Sequence, residues 1–238
     1  MIDPRPFDSL GRFDNDWLAA RYHFSFAGYH DPRRGGVGPL LVWNDDTIQP
    51  QTGFEQHGHR DMEIITYVRK GAISHRDHLG NEGRTEAGDV QVMSAGKGIL
   101  HAEFNREAEP TQIYQIWIRP ETAGVPPRWD ARSFPKAARA GALTALASGR
   151  SEDADALRIH ADAAVLGATL TQGQSVEHDF GPDRQGYLVV ALGRVSVTDA
   201  EGQSVELGPR DGAVLSATAG VTVTAEEDAE ILLADVKA

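Results

Sequence analysis

The two halves of the chain repeat one pattern at an offset of 122 residues. A turn glycine recurs in this register, with Gly71 aligned to Gly193. A strand-forming segment, Thr66–Val68, aligns in the same register with Leu188–Val190. Because turn and strand positions match together, the repeat predicts two copies of one β module in tandem.

Short runs rich in β-branched and aromatic residues predict strands on both sides of the repeat. Helical periodicity is weak, and Asp130–Ala138 and Ser151–Ala156 are the best candidates for helices. The pattern indicates an all-β protein, a sandwich or barrel with few short helices. The predicted strands are Met62–Arg69, Ile113–Ile118, Tyr187–Leu192, Val195–Thr198 and Val221–Thr224.

A proline-rich segment, residues 119–141, separates the two halves. It holds four prolines and alternating charges, and it shows no strand pattern. We therefore expect an N-terminal module over residues 1–130 and a C-terminal module over residues 131–238.

The composition excludes several classes of protein. With 35 acidic against 23 basic residues, the net charge of −12 disfavours binding to nucleic acid or to an anionic membrane. The chain has no cysteine, which excludes disulfides, thiol nucleophiles and cysteine-ligated metals. No signal peptide and no long apolar segment is visible, so we expect a cytoplasmic protein. The oligomeric state is not indicated.

Two short motifs place metal-binding side chains two positions apart. They are His57-Gly58-His59 and His101-Ala102-Glu103. In a strand, residues i and i+2 share a face. If both strands face one barrel interior, three imidazoles and a carboxylate converge as ligands for a divalent transition metal. Four protein ligands would leave two positions of an octahedral ion open for O₂ and a substrate oxygen.

The segments around these motifs resemble the two cupin motifs and, more closely, those of the pirin family. Residues 51–71 resemble the first cupin motif, and residues 88–105 resemble the second with the departures found in pirins. The segment RYHFSFAGYHDP, residues 21–32, resembles the pirin N-terminal signature. Gly58 stands where the family usually has proline, which removes no ligand.

This resemblance implies a bicupin, two tandem jelly-roll β-barrels. It implies His57, His59, His101 and Glu103 as the metal ligands. Glu63 fills the usual cupin glutamate position, and we expect it to be a supporting carboxylate. Fe(II) is our first expectation for the metal, with Zn, Mn, Co, Ni and Cu left open.

The resemblance is closest to bacterial pirin-like quercetin 2,3-dioxygenases. It implies cleavage of a flavonol at the 2,3 bond by O₂, with release of carbon monoxide. Glu103 would act as the general base on the substrate hydroxyl. The candidate pocket residues, each of which fits an ordinary core position equally well, are Phe54, Glu63, Met93, Ile99 and Trp117.

The second module is expected to lack a metal. At the offset of 122, the four ligand positions fall on residues that form no cage, namely Asp179, Gly181, Val223 and Ala225. Of the other histidines, His75 and His78 are expected at the surface or beside the ligands. His23 is expected near the mouth of the barrel or in the core.

Two further hypotheses stay open. Eukaryotic pirins resemble regulators that respond to metal or redox state and bind other proteins, so a protein partner without physiological catalysis is the alternative to the dioxygenase. A cupin isomerase or sugar-binding protein is a third class, since one fold hosts many chemistries.

Overall fold

Twenty-two strands and two short 3₁₀ helices make up the chain, in a computed structural model that describes all 238 residues. The first eleven strands after the N-terminal one are Gly11–Asp14 (β2), Leu18–Tyr22 (β3), Leu40–Ile48 (β4), Thr52–His59 (β5), Glu63–Lys70 (β6), Ala72–Asp77 (β7), Glu82–Glu86 (β8), Val90–Ser94 (β9), Ile99–Asn105 (β10), Thr111–Ile118 (β11) and Arg128–Arg132 (β12). They form a seven-stranded sheet, β12-β9-β6-β11-β4-β3-β2, and a four-stranded sheet, β5-β10-β7-β8.

The remaining strands repeat this arrangement. They are Ile2–Arg5 (β1), Thr144–Ser148 (β13), Leu157–Arg158 (β14), Ala163–Leu170 (β15), Ser175–Asp179 (β16), Arg184–Leu192 (β17), Val195–Asp199 (β18), Ser204–Leu207 (β19), Gly212–Leu215 (β20), Gly220–Ala225 (β21) and Ala229–Lys237 (β22). The sheets are β1-β20-β17-β22-β15-β13-β14 and β16-β21-β18-β19. The prediction of an all-β protein with two similar modules is confirmed.

The two modules pack together through their larger sheets. A cluster of 24 buried residues joins them, and it includes Trp43 and Tyr67 from one module and Tyr187 and Leu232 from the other. These residues lie on strand faces opposite to the barrel interiors. The seven-stranded sheets are thus buried on both faces.

The two barrel interiors differ in how much apolar core they hold. The C-terminal barrel encloses a cluster of 20 buried apolar residues. The apolar clusters inside the N-terminal barrel contain only 7 and 4. Polar side chains therefore occupy a large part of the N-terminal interior.

The N-terminal strand crosses between the modules. β1 pairs in antiparallel register with β20 of the C-terminal sheet, with Ile2 opposite Leu215. The division of the chain between residues 130 and 131 stays a proposal. β1 belongs to the N-terminal part by sequence but pairs with the C-terminal sheet.

Both predicted helices were wrong. Asp130–Ala138 overlaps β12, which pairs with β9, and only Lys136–Arg139 forms a 3₁₀ turn after Pro135. The supposedly strandless linker thus supplies an edge strand. Ser151–Ala156 forms turns, since Ser148 Oγ bonds Asp153 Oδ2 at 2.6 Å and closes the loop on itself. No helix has the length and apolar character needed to cross a bilayer.

Candidate metal centre

Three imidazoles meet where β5 pairs with β10. His57 lies directly opposite His101, and His59 lies opposite Ile99. The ring nitrogens of His57, His59 and His101 lie within 4.8 Å of one another. The closest pair is Nε2 of His57 and Nε2 of His101, at 3.1 Å. The structure thus brings together the three histidines that the sequence predicts.

The donor set fits a divalent transition metal. His57 Nδ1 lies 2.7 Å from the carbonyl oxygen of Glu55 and donates its proton there, which leaves the Nε2 lone pair free. Metal-bound histidines commonly make such a bond with the second ring nitrogen. Two nitrogen ligands at ~2.1 Å from one ion and at a right angle would lie about 3.0 Å apart, close to the distance between His57 and His101.

His59 and His101 are in the protonation state that metal binding requires. Burial, together with a smaller contribution from the neighbouring imidazoles, lowers the pKa of His59 to about 4 and that of His101 to about 3. Both rings are therefore neutral near pH 7, and neutral imidazole is the form that binds a metal.

Glu103 lies in a second group, beside the three imidazoles. Its carboxylate and the ring nitrogens of His75 and His101 lie within 4.8 Å of one another. The register between β5 and β10 shifts after His101, so Glu103 lies opposite Phe54 and not opposite Glu55. The four predicted ligands thus fall in two groups that share His101, and simple strand alternation did not predict this grouping.

Two glutamines hold the Glu103 carboxylate. Gln91 Nε2 donates to Oε1 at 2.6 Å, and Gln115 Nε2 donates to Oε2 at 2.9 Å. Complete burial raises the pKa of Glu103, and the nearby His75 and His57 act in the opposite direction. The glutamine amides fix the orientation of the carboxyl group that the sequence predicts as the fourth ligand.

His75 is more deeply involved than we expected from sequence. Its ring is buried, stacks on Trp129 with centroids 4.9 Å apart, and places Nε2 3.3 Å from Asp77 Oδ2. The signal was the alternation of His75 and Asp77 along β7, with His75 opposite Glu103. His23, also buried, binds Tyr187 Oη at 2.7 Å between the modules.

A cavity of about 750 Å³ adjoins the imidazoles. His57 and His59 line it, together with two of the predicted pocket residues, Phe54 and Trp117. The ring of Trp117 contacts His59 edge to face, with centroids 4.9 Å apart. The aromatic residues that line the cavity, apart from the two histidines, are Phe13, Trp17, Tyr22, Phe26, Tyr29, Phe54 and Trp117.

Three predicted pocket residues lie outside this cavity. Met93 and Ile99 belong to a small apolar core cluster with Ile64. Glu63 is fully buried, and its Oε2 accepts a 2.6 Å hydrogen bond from Ser94 Oγ. Their strand positions direct these side chains to the core or to a hydrogen bond within the sheet.

Sequence reasoning missed much of the cavity wall. The segment before β4 supplies Trp17, Phe26 and Tyr29, partly from the motif that gave the family resemblance. Asn44 and Asp46 of β4 also line the cavity, and both are buried. Burial raises the pKa of Asp46 to about 8, with further contributions from Asp45 and Glu103. The neutral acid therefore dominates near pH 7.

The C-terminal barrel has no equivalent of the imidazole cluster. Strand pairing makes Val221 the equivalent of His101, and its partner His178 the equivalent of His57. The count of 122 falls on Asp179, one residue further along the chain, because β5 contains a bulge. His178 hydrogen-bonds Asp235 at 2.8 Å and has no imidazole opposite it.

Known proteins resemble the whole chain. Residues 5–118 match the Pirin family, and residues 145–236 match the quercetinase C-terminal cupin domain. A pirin-like protein of Caulobacter vibrioides is 57% identical over 235 residues, which cover 99% of each chain. A quercetin 2,3-dioxygenase of Escherichia coli K12 is 35% identical over 237 residues, again 99% of each.

A solved structure has the same architecture. The bacterial pirin YhhW of Escherichia coli, in complex with nickel(II), superposes with a TM-score of 0.91 at 34% identity. The match covers 100% of this chain and 99% of that one. The predicted pair of cupin barrels is thereby confirmed.

Proposed function

The chain belongs to the pirin family, and from this premise we propose that it is a metal-dependent dioxygenase acting on flavonols such as quercetin. The observation that supports this best is the position of the aromatic cavity, since His57 and His59 line both the cavity and the imidazole cluster. A volume of about 750 Å³ suits a ligand of three fused or linked rings. Relatives that bear the name quercetin 2,3-dioxygenase point to the same substrate class.

We assign His57, His59, His101 and Glu103 to the metal. The three imidazoles share one cluster, and Glu103 is linked to it through His101. When bound, a divalent ion supplies Lewis acidity toward a substrate oxygen and redox chemistry for O₂. Fe(II) is the metal that we propose first. Because a related bacterial pirin has been solved in complex with nickel(II), Ni(II) is the second metal to be tested.

The side chains around the cavity would orient the substrate and exclude water. Phe26 contacts Trp117 edge to face at 5.4 Å, and Trp17 contacts Phe54 at 5.1 Å. These rings offer flat apolar surfaces to an aromatic ligand. Glu103 would accept the proton of the flavonol 3-hydroxyl at a carboxylate oxygen, while Gln115, which touches both the cavity and Glu103, keeps that carboxyl group in place. Overall, one flavonol and one O₂ give one depside and one carbon monoxide.

The test is reconstitution followed by turnover. The metal-free protein is loaded anaerobically with Fe(II), Mn(II), Co(II), Ni(II) or Cu(II), mixed with quercetin in air, and followed by flavonol absorbance and carbon monoxide release. We expect turnover with at least one metal, and its loss in the His101→Ala variant. A His178→Ala variant in the second barrel is the matched control and should keep activity. Absence of turnover with every metal would overturn the proposal.

A further inference from the structure

Two buried side chains in the cavity lack the hydrogen-bond partners they require. The Oδ1 atoms of Asn44 and Asp46 are inaccessible to solvent and have no partner in the chain. The two residues are 3% and 2% exposed, yet both line the cavity. An unsatisfied buried acceptor costs roughly 1–3 kcal/mol, and these two acceptors belong to residues of the cavity wall, where hydroxyl groups of a ligand would pair with them.

The barrel itself does not require polar side chains here. Asn44 lies opposite Gln115 in β11, and Asp46 lies opposite Ile113. In the C-terminal barrel, the residues 122 positions later are Leu166 and Ala168, which lie opposite their own β22 partners. Both belong to the apolar core of that barrel. The polar pair is therefore specific to the module that has the imidazole cluster.

Asn44 also belongs to a continuous polar row across the sheet. Strand pairing places Tyr22, Asn44, Gln115, Thr66 and Gln91 side by side on five neighbouring strands. Gln91 at one end of the row and Gln115 in its middle hold Glu103. Tyr22 and Asn44 at the other end line the cavity. A ligand beside the imidazoles thus has polar groups of β4 within the same cavity.

We propose that Asn44 and Asp46 form a polar subsite that accepts hydrogen bonds from hydroxyl groups of the ligand. The cavity would then select polyhydroxylated aromatic compounds over apolar ones of the same shape. This inference rests on the proposed binding of a flavonol in this cavity.

Anaerobic calorimetry with the Ni(II)-loaded protein tests the subsite separately from turnover. The probes are quercetin, which has five hydroxyl groups, and 3-hydroxyflavone, which has only the one expected at the metal centre. The wild-type protein should bind quercetin about 100-fold more tightly, since each of the two subsite residues would add a hydrogen bond that contributes a factor of about 10. Asn44→Ala and Asp46→Ala should each weaken quercetin binding about 10-fold and 3-hydroxyflavone binding less than about 2-fold.

Controls separate the subsite from folding and from the proposed activity. Asp14→Asn changes an exposed aspartate outside the cavity and should leave both affinities unchanged. Should Asp46→Ala not fold, Asp46→Asn keeps the shape and one acceptor, and it should show a smaller loss in the same direction. Equal losses for both ligands, or none, would overturn the subsite even if turnover is found. Selective loss without any turnover in air would support the subsite and refute the dioxygenase, and failure of both ligands to bind would refute both.

Discussion

Nε2 of His57 lies 3.1 Å from Nε2 of His101 across the pair formed by β5 and β10. Two ring nitrogens at this distance are placed to bind one cation, which would stabilise their close approach. The relationship depends on strand register alone, because the two residues are direct partners in the ladder. Removing either ring should therefore disrupt metal binding without disturbing the sheet.

His101→Ala should lower the affinity for Ni(II) at least about 100-fold, since loss of a direct ligand costs more than the loss of a supporting hydrogen bond. Titration of the metal-free protein, followed by elemental analysis after gel filtration, measures this. His178 lies in the equivalent region of the second barrel, so the His178→Ala variant should bind the same number of Ni(II) ions per chain as the wild type. If both variants bound nickel equally well, the imidazole cluster would not be the metal site.

Glu103→Gln should weaken metal binding about 10- to 100-fold and abolish flavonol turnover. The new amide places an NH₂ group against the donor of Gln91 or Gln115, so one hydrogen bond is lost and the melting temperature should fall. Calorimetry and thermal denaturation measure the two effects. Full turnover in this variant would exclude Glu103 as the proton acceptor.

The sequence predicts the ligands of this site, but not their division into two groups that share His101. His57, His59 and His101 follow from the i, i+2 spacing on strands, and that geometry is found. Glu103 groups with His75 and His101, which was not predicted, and the register shift opposite Phe54 has no local sequence signal. Asn44 and Asp46 read as ordinary strand residues, because only the three-dimensional cavity shows that their acceptors are unpaired.

The fold was predictable where periodicity is strong and failed where a strand lies at an edge. β6, β11 and β17 are rich in β-branched and aromatic residues, and their positions match the predicted segments to within a few residues. β12 follows two prolines and pairs on one side only, so its polar, partly exposed residues resembled a loop or helix. The offset of 122 aligns His57 with the wrong residue of the second module, because a count along the sequence does not reveal the bulge in β5.

The second barrel should lose stability in acid through Asp235. Burial alone would raise the pKa of this carboxyl group, but hydrogen bonds from His178, Arg150 and Arg184 outweigh it and hold the pKa at about 2, below its ordinary value of 3.8. A depressed pKa contributes stability above about pH 4, and the contribution is lost as the pH falls toward 2. The amount is about 2 kcal/mol.

Urea denaturation of Asp235→Asn between pH 3 and pH 7 measures this contribution. The variant should be less stable at pH 7, and its deficit should shrink as the pH falls toward 3. Asp162→Asn is the matched control, since Asp162 binds the same Arg184 from a position 36% exposed. It should show little change at either pH. A deficit for Asp235→Asn that is independent of pH would contradict the assignment.

A buried ion network joins the modules. Arg139 Nη2 donates to Tyr67 Oη at 2.8 Å and to Glu230 Oε1 at 3.2 Å, and Lys136 Nζ donates to Glu230 Oε2 at 2.6 Å. Arg139→Met removes one partner of a buried pair and should lower the free energy of unfolding by about 3 kcal/mol. The double variant Arg139→Met, Glu230→Gln should recover part of the loss in urea denaturation. If the Arg139→Met variant were as stable as the wild type, the pair of Arg139 and Glu230 would contribute nothing to the free energy of unfolding.

The exchanged strand β1 gives the polypeptide an order of assembly. Ile2 packs in the apolar core of the C-terminal barrel, and its strand partner is Leu215. During synthesis, β1 emerges well before β20 and must wait for it before the two can pair. The first barrel can close earlier, whereas the second needs β1 in addition to the strands of the C-terminal half. A bulky group attached next to β1 would therefore burden the barrel whose other strands lie farthest from it in sequence.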